Sequence, residues 1–134
     1  IDELTNFGLW GDKEYIPQNY DEKFRGPVTL RRALAQSLNI PSIKTLLYLA
    51  GLDDSVKTAQ DLGITTLIPP FGPAIVLGGW EVKLLDMTSA YGVFASGGLK
   101  VEPVAILKIE DKNGNIIFEN KKTQKRVLEK MFNF

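Results

Sequence analysis

The stretch Ala33-Leu34-Ala35-Gln36-Ser37-Leu38-Asn39-Ile40-Pro41 joins two helical patterns through a polar turn. Before it, apolar residues recur every three or four positions from Leu30, behind Thr29, a residue type that caps helix N-termini. Pro41 disfavours helical geometry at the residue before it and suits the first turn of a new helix. We therefore predict that one helix ends near residues 37–39 and that a second begins beside Pro41.

Ser37 and Asn39 are the candidate functional residues of this junction. Residues two apart in a regular helix point in nearly opposite directions, but at a helix end both side chains can face one cleft. The local sequence also allows a structural interpretation, in which Ser37 bonds back to a helix carbonyl and Asn39 caps the helix C-terminus. Ser42 and Lys44 are close in sequence, but their spacing within a helix points them apart, and we expect both to be exposed.

Further helical patterns follow the junction. The second helix should stop at Gly51, a third should run from Asp53 as its N-cap to Gly63, and a fourth should cover residues 81–96. Prolines and glycines between the third and fourth helices predict a surface loop. The predicted apolar faces comprise Leu30, Ala33, Leu34, Ile43, Leu46, Leu47, Ala50, Val56, Ala59, Leu62, Leu84, Met87, Tyr91 and Phe94.

The two flanks of this helical part, residues 28–98, have different patterns. Residues 1–27 lack a sustained period but hold glycines, prolines and aromatic residues, which predicts an ordered loop whose rings pack on a neighbouring core. Apolar runs on both sides of an Asn-Gly pair predict a β-hairpin over residues 103–119. Apolar residues at helical spacing predict a terminal helix over residues 120–134.

Composition excludes several kinds of chemistry. The chain has 134 residues, the size of one domain or part of one, and with no histidine and no cysteine it cannot build a Ser-His-Asp triad or a usual zinc site. Sixteen Lys and Arg residues balance sixteen Asp and Glu residues, so nothing favours nucleic acid as a partner. The longest apolar stretches fall short of the roughly 20 residues that span a bilayer. We expect no metal and no cofactor, and the start at Ile1 suggests a segment of a longer chain.

The order of residues from Tyr15 onward resembles the transpeptidase domain of class A, bifunctional penicillin-binding proteins. Matches in the same order over most of the chain are far more specific than a three-residue motif. They are Tyr15-Ile16-Pro17-Gln18-Asn19-Tyr20-Asp21, Phe24-Arg25-Gly26-Pro27-Val28-Thr29-Leu30-Arg31, Ala33-Leu34-Ala35-Gln36-Ser37-Leu38-Asn39-Ile40-Pro41, Leu77-Gly78-Gly79-Trp80-Glu81-Val82, Ala90-Tyr91-Gly92-Val93-Phe94-Ala95-Ser96-Gly97-Gly98 and Asp111-Lys112-Asn113-Gly114.

That family uses three motifs, Ser-x-x-Lys, Ser-x-Asn and Lys-Thr-Gly. Here only the second is present, as Ser37-Leu38-Asn39, because no serine has a lysine three places later and no Lys-Thr pair precedes a glycine. By the family's order, the chain corresponds to the interval between the other two motifs. The resemblance implies an α+β fold of the penicillin-binding and serine β-lactamase type, with this segment as its mostly helical part plus a hairpin.

The resemblance also implies a function. In the whole domain, a serine outside this chain would attack the D-Ala-D-Ala carbonyl of a peptidoglycan stem peptide and form an acyl-enzyme, which β-lactams imitate. Ser37 would relay a proton and Asn39 would hydrogen-bond the substrate amide. The implied partners are stem peptides, β-lactams as inhibitors of the complete domain, and the remainder of the same polypeptide. The implied location is the extracytoplasmic face of the bacterial cytoplasmic membrane, with the anchor outside this chain, and the chain alone should be inactive.

Two other functions stay open. The segment can be a non-catalytic module that binds peptidoglycan or a protein. It can also be a carboxylate-based hydrolase that uses a pair such as Asp53 and Asp54 or Glu110 and Asp111. We expect these carboxylates to be solvated charges instead.

Overall fold

A computed structural model describes residues 1–129 of the chain, which divide into two compact units. The first unit contains Ile1–Lys57 and Leu67–Glu81, and the second contains Thr58–Thr66 and the chain from Val82 onward. Residues 1–129 contain four α-helices: α1 Leu30–Ala35, α2 Asn39–Thr45, α3 Leu52–Leu62 and α4 Leu84–Ala95. The described part of the chain also contains six short strands: β1 Leu9–Trp10, β2 Lys13–Glu14, β3 Leu99–Val101, β4 Lys108–Glu110, β5 Ile116–Glu119 and β6 Gln124–Arg126.

Helix α1 begins where the sequence predicts. The Thr29 hydroxyl accepts a hydrogen bond of 3.2 Å from the backbone N–H of Arg32, which satisfies one of the free donors at the helix N-terminus. The predicted buried face is wrong, because Leu30 and Leu34 are exposed and only Ala33 is buried. A helix of six residues makes fewer than two turns, so it presents one residue to the core rather than a stripe.

Helix α2 supplies the core of the first unit. Its Ile40 and Ile43 are fully buried, together with Leu38 just before it. The chain then continues as a π-helical turn, Leu46–Ala50, and stops at Gly51, whose φ of +82° a glycine adopts without strain. Of the predicted face, Leu46 is buried while Ala50 is exposed, because the wider π turn changes the angular spacing of the side chains.

The predicted surface loop between α3 and α4 is partly core. A 3-10 helix, Pro73–Leu77, packs against α2, and its Pro73 is buried. The loop therefore completes the first unit rather than only crossing its surface.

Helix α3 begins at Leu52, so Asp53 lies in its first turn and is not the predicted N-cap. Asp53 and Asp54 there carry negative charge near the positive end of the helix dipole, which is favourable. The helix ends before Gly63, as predicted, where φ is +111°. No helix within residues 1–129 has the length and apolar character needed to cross a membrane.

In the second unit, α4 packs on β3 through small side chains. Ala90 and Val93 are buried. The large residues predicted to form the apolar face are instead exposed in the described chain: Leu84, Met87, Tyr91 and Phe94. The pattern predicted the helix correctly but not which of its apolar sides packs inside this chain.

The predicted hairpin is present and shorter than expected. Strands β4 and β5 are antiparallel, with Ile109 opposite Phe118, and pairing begins only at Lys108. The predicted terminal helix over residues 120–134 is wrong where the structure describes it, because β6 pairs antiparallel with β3 and sets Leu99 opposite Arg126. That pairing satisfies backbone groups of β3 that a helix would leave open. Residues 130–134 of the predicted helix lie outside the described residues.

The predicted loop over residues 1–27 contains a small hairpin, β1 with β2, that turns at Gly11. The centroid of the Phe7 ring lies 6.3 Å from that of Tyr15 and 6.2 Å from that of Tyr48, so Phe7 and Tyr15 make ring contacts as predicted, whereas Trp10 and Phe24 are exposed. Tyr20 is fully exposed and does not help to anchor the loop.

Candidate functional site

The backbone of Ser37 has an unusual conformation. Its φ is +52°, its N–H donates to the carbonyl of Leu34 at 3.1 Å, and the N–H of Leu38 donates to Ala33 at 3.0 Å. These two bonds are those of a Schellman motif, which closes a helix with one left-handed residue. That residue is usually glycine, and any other costs about 1–2 kcal/mol. A serine here therefore needs a reason other than local stability.

The side chain of Ser37 lies at the surface. The residue is exposed, and no hydrogen bond to its hydroxyl oxygen occurs within the described part of the chain. The structural interpretation, in which this hydroxyl bonds back to a helix carbonyl, is therefore wrong for Ser37. It holds for Ser42 instead, whose hydroxyl donates to the Leu38 carbonyl at 2.7 Å.

Asn39 is the first residue of α2 and does not cap α1, which removes the second half of that interpretation. Its side-chain nitrogen Nδ2 donates to the carbonyl oxygen of Gln18 at 2.7 Å. Because a backbone carbonyl can only accept, this contact fixes which end of the carboxamide faces Gln18. The side-chain oxygen Oδ1 and the other N–H of the Asn39 carboxamide have no hydrogen-bond partner among residues 1–129.

Leu38 separates the two polar residues and holds both in place. Its side chain is only 2% exposed, so it is anchored in the core of the first unit. The left-handed backbone at Ser37 directs this side chain inward while Ser37 remains exposed and Asn39 only partly buried. The motif is thus a buried anchor between two polar groups that can reach solvent.

Asp2 and Asn19 form a buried polar pair beneath Asn39. Asp2 is 0% exposed and Asn19 is 4% exposed. Asn19 Nδ2 donates to both carboxylate oxygens of Asp2, at 2.8 and 3.0 Å, and to the carbonyl of Lys23 at 2.8 Å. Asn19 Oδ1 accepts the backbone N–H of Asn39 at 2.9 Å. Neither residue was predicted, because neither lies on a periodic pattern. The signal that could have indicated Asn19 is its position within a block shared with the resembled family.

Arg25 places a positive charge beside this pair. The Arg25 guanidinium donates to Asp21 at 2.7 Å and holds the pKa of that carboxyl below its usual value. The backbone N–H of Arg25 donates to Asp2 at 3.0 Å, and its guanidinium lies 3.9 Å from the same oxygen. Asp2 thus has a main-chain donor, an amide donor and a nearby positive charge.

Ser42 and Lys44 do not form a dyad, as predicted. The Lys44 ammonium pairs with Glu3 at 2.9 Å and lowers the pKa of that carboxyl, while Ser42 bonds to its own helix. The predicted exposure of Ser42 and Lys44 is wrong, because both residues are half-buried. Their contacts with Leu38 and Glu3 keep the two side chains close to the rest of the first unit.

The carboxylates of the candidate pair Glu110 and Asp111 make structural contacts. Glu110 pairs with Lys108, and Asp111 accepts hydrogen bonds from the side chain and backbone of Asn115, which lower its pKa. A general acid needs a raised pKa, so Asp111 is unsuited to that role. Within residues 1–129, acidic side chains do not gather into a group of three or more that could hold a metal ion.

The arrangement offers groups that can bind an amide and transfer a proton. The free hydroxyl of Ser37 both donates and accepts, and the carboxamide of Asn39 matches the donor and acceptor edge of a peptide amide. A nucleophilic serine needs an adjacent base, and Ser37 has no such contact in the described chain.

No family model matches the chain. The chain is 39% identical over 129 residues to penicillin-binding protein 2D of Bacillus subtilis, a match that covers 95% of this chain and 18% of that protein. It is 40% identical over 118 residues to penicillin-binding protein 1A of Aquifex aeolicus, covering 88% of this chain and 16% of that protein. The crystal structure of penicillin-binding protein 1A from Haemophilus influenzae superimposes with a TM-score of 0.80 at 32% identity, over 90% of this chain and 18% of that one. The chain therefore spans less than a fifth of these relatives, and the predicted α+β fold is confirmed.

Proposed function

Because this chain belongs to the class A penicillin-binding proteins, we propose that it is the part of a D,D-transpeptidase domain that carries the Ser-x-Asn element of the active site. The observation that carries the proposal is the conformation of Ser37, whose φ is +52° and whose exposed hydroxyl has no hydrogen-bond partner among residues 1–129. A glycine would make the same turn at lower cost, so the hydroxyl is the property that distinguishes this residue.

The proposed reaction of the whole domain is acyl transfer. A serine outside this chain attacks the carbonyl of the D-Ala-D-Ala bond in a stem peptide, and the terminal D-Ala leaves with a proton. The amine of a neighbouring stem peptide then displaces the serine and forms the cross-link. β-Lactams replace the donor peptide in the first step. We place the reaction at the extracytoplasmic face of the cytoplasmic membrane, with the anchor elsewhere in the polypeptide.

Ser37 and Asn39 have separate roles in this reaction. The Ser37 hydroxyl accepts one proton as it donates another, which suits a relay between the lysine of the absent nucleophile motif and the leaving amine. Asn39 Oδ1 accepts the N–H of the substrate peptide, while the bond from Asn39 Nδ2 to Gln18 keeps the carboxamide in one orientation. Neither residue is the nucleophile.

A binding module without catalysis is the second candidate. It is favoured by one observation: this chain offers an amide-binding group at Asn39 but no serine followed by lysine three places later. Such a module would bind stem peptides without forming a covalent bond.

The test uses the full-length protein with Ser37→Gly and Asn39→Ala. Both variants should react with a fluorescent penicillin at least about 100-fold more slowly, since proton relay and positioning each contribute about that much. Ser37→Gly should also be as stable as the parent or more stable, by about 1 kcal/mol, because glycine relieves the left-handed strain. Stopped-flow acylation and thermal unfolding measure the two effects.

Gln36→Ala is the matched control, since Gln36 is an exposed neighbour in the same turn. Its acylation rate should equal that of the parent. Parental rates in both Ser37→Gly and Asn39→Ala would refute the assigned roles.

A further inference from the structure

We propose that Asn19, fixed by the buried carboxylate of Asp2, is a positioning residue for Asn39, an inference that rests on the function proposed above. This pair is joined to the Ser-x-Asn element by the 2.9 Å hydrogen bond from the Asn39 backbone N–H to Asn19 Oδ1. Asn19 would act on the substrate through Asn39, without touching the substrate.

The orientation of the Asn19 carboxamide is determined completely by its partners. Its nitrogen faces three acceptors, the two oxygens of Asp2 and the carbonyl of Lys23, and its oxygen faces a backbone donor. Rotation by half a turn would set the oxygen against a carboxylate and the nitrogen against an N–H group, which is repulsive on both sides. Asp2 therefore determines where Asn19 Oδ1 points.

Asp2 is itself held in place by hydrogen bonds to Gly26 and Arg25. Its backbone exchanges two hydrogen bonds with Gly26, of 2.8 and 2.9 Å, and its carboxylate accepts the backbone N–H of Arg25. A buried carboxylate needs such partners, since an unpaired one would cost several kcal/mol. The chain near residue 2, the loop near residue 25 and the start of α2 are thus joined through one buried side chain.

Asn39 is held at two atoms by neighbouring residues of one loop. Asn19 holds its backbone N–H and Gln18 holds its side-chain nitrogen. A helix N-cap would need only the first of these contacts. Both together determine the position and the rotation of the carboxamide, which is the geometry that a substrate-binding group requires and that stability alone does not.

The experiment exchanges the two buried side chains in the full-length protein. Asn19→Asp keeps an acceptor for the Asn39 N–H but places a second carboxylate against Asp2. The double variant Asp2→Asn with Asn19→Asp restores a donor facing an acceptor between residues 2 and 19, with the polarity reversed, and keeps the acceptor for Asn39. The carbonyl of Lys23 loses its donor in the single and the double variant alike, so their comparison isolates the contact between residues 2 and 19. Asn19→Ala removes the contact altogether.

We expect Asn19→Ala and Asn19→Asp to slow acylation by a fluorescent penicillin about 10- to 100-fold, the cost of a small misplacement in an active site. The exchanged double variant should recover about tenfold over Asn19→Asp, since coupled neighbours show interaction effects of that size. The acylation rate should fall even at saturating penicillin, and by more than the loss of thermal stability explains.

Val93→Ala is the stability control, because Val93 is a core residue of the second unit, 1% exposed and outside the proposed site. The Asn19 variants that remain folded are compared with Val93→Ala at an equal loss of melting temperature. Equal acylation rates in that comparison would overturn the inference. If Asn19→Ala does not fold, the double variant provides the test. A folded double variant whose acylation rate does not exceed that of Asn19→Asp would also overturn the inference. Ser37→Gly in the same assay separates the two proposals. A parental acylation rate in Ser37→Gly refutes the proposed function. Slow acylation in Ser37→Gly together with parental rates in the Asn19 variants refutes only this inference.

Discussion

Leu38 determines how the two polar residues beside it are presented. It follows the left-handed Ser37 and closes the Schellman motif by donating its N–H to Ala33, which is also buried. The neighbouring Leu34 lies on the same helix end but is 82% exposed. Two leucines four positions apart therefore have opposite surroundings.

Leu38→Ala should lower the free energy of unfolding by about 2–5 kcal/mol, because it removes a fully buried side chain and leaves a cavity. Leu34→Ala is the matched control and should change it by less than about 0.5 kcal/mol in this chain. Urea unfolding of both variants measures the difference. Equal losses would mean that the helix end is rotated from the arrangement described above.

The turn between α4 and β3 depends on two adjacent glycines with different surroundings. Gly97 has a φ of +64° and no atom within 4 Å of where a Cβ would stand. Gly98 has a φ of +92°, and a Cβ there would meet the carbonyl oxygen of Leu128. The carbonyl of Gly98 also accepts the N–H groups of Val127 and Leu128, so the approach of β6 requires the missing side chain.

Gly98→Ala should therefore cost well over 2 kcal/mol, since strain and a backbone collision add. Gly97→Ala should cost only about 1–2 kcal/mol, from the left-handed conformation alone. Amide exchange at residues 124–126 reports the pairing of β3 with β6 and should rise sharply only in Gly98→Ala. Similar exchange in the two variants would contradict the close approach.

The start of α4 is joined to the segment after α3 by a carboxylate. Asp86 accepts the hydroxyl of Thr65 at 2.6 Å and its backbone N–H at 2.9 Å, and these bonds lower the pKa of Asp86. The folded state then binds fewer protons than the unfolded state in acid. This stabilisation is fully present above about pH 4 and is lost as the pH falls through the folded-state pKa.

Thr65→Val removes the hydroxyl bond, the largest cause of the shift, and keeps the backbone bond. The pKa of Asp86 should rise toward its usual value, and acid unfolding should begin at a higher pH. Thr88→Val is the control, because the Thr88 hydroxyl donates to Leu84 and not to Asp86. Carboxyl titration by NMR measures both, and an unchanged Asp86 in Thr65→Val would refute the assignment.

As a whole, the described chain has much apolar surface that it does not bury. The large residues of α4 and the apolar residues of the β4–β5 hairpin are exposed. The relatives are more than five times as long as the matched segment. We expect the remainder of the same polypeptide to cover these side chains, since extensive exposed apolar surface marks interfaces.

The chain of 134 residues alone should not be acylated by a fluorescent penicillin, because no serine in it has a lysine three places later. The full-length protein should be labelled at a serine outside these residues. Mass spectrometry of tryptic peptides identifies the labelled site. An adduct on a serine of this chain would refute the proposed division of roles, and tight binding of a stem peptide without acylation would favour the binding module.

The local patterns predicted the Thr29 cap, the stops at Gly51 and Gly63, the β4–β5 hairpin and the Ser37-Leu38-Asn39 junction. These depend on interactions within a few residues, such as capping, left-handed glycines and tight turns, which short stretches of sequence specify. Tertiary structure decided the rest. Residues 124–126 became a strand because β3 offers unpaired backbone groups, the inner face of α4 was chosen by its packing on β3, and Asp2 and Asn19 met across the first unit. Such contacts join residues far apart in the chain, so no local pattern records them.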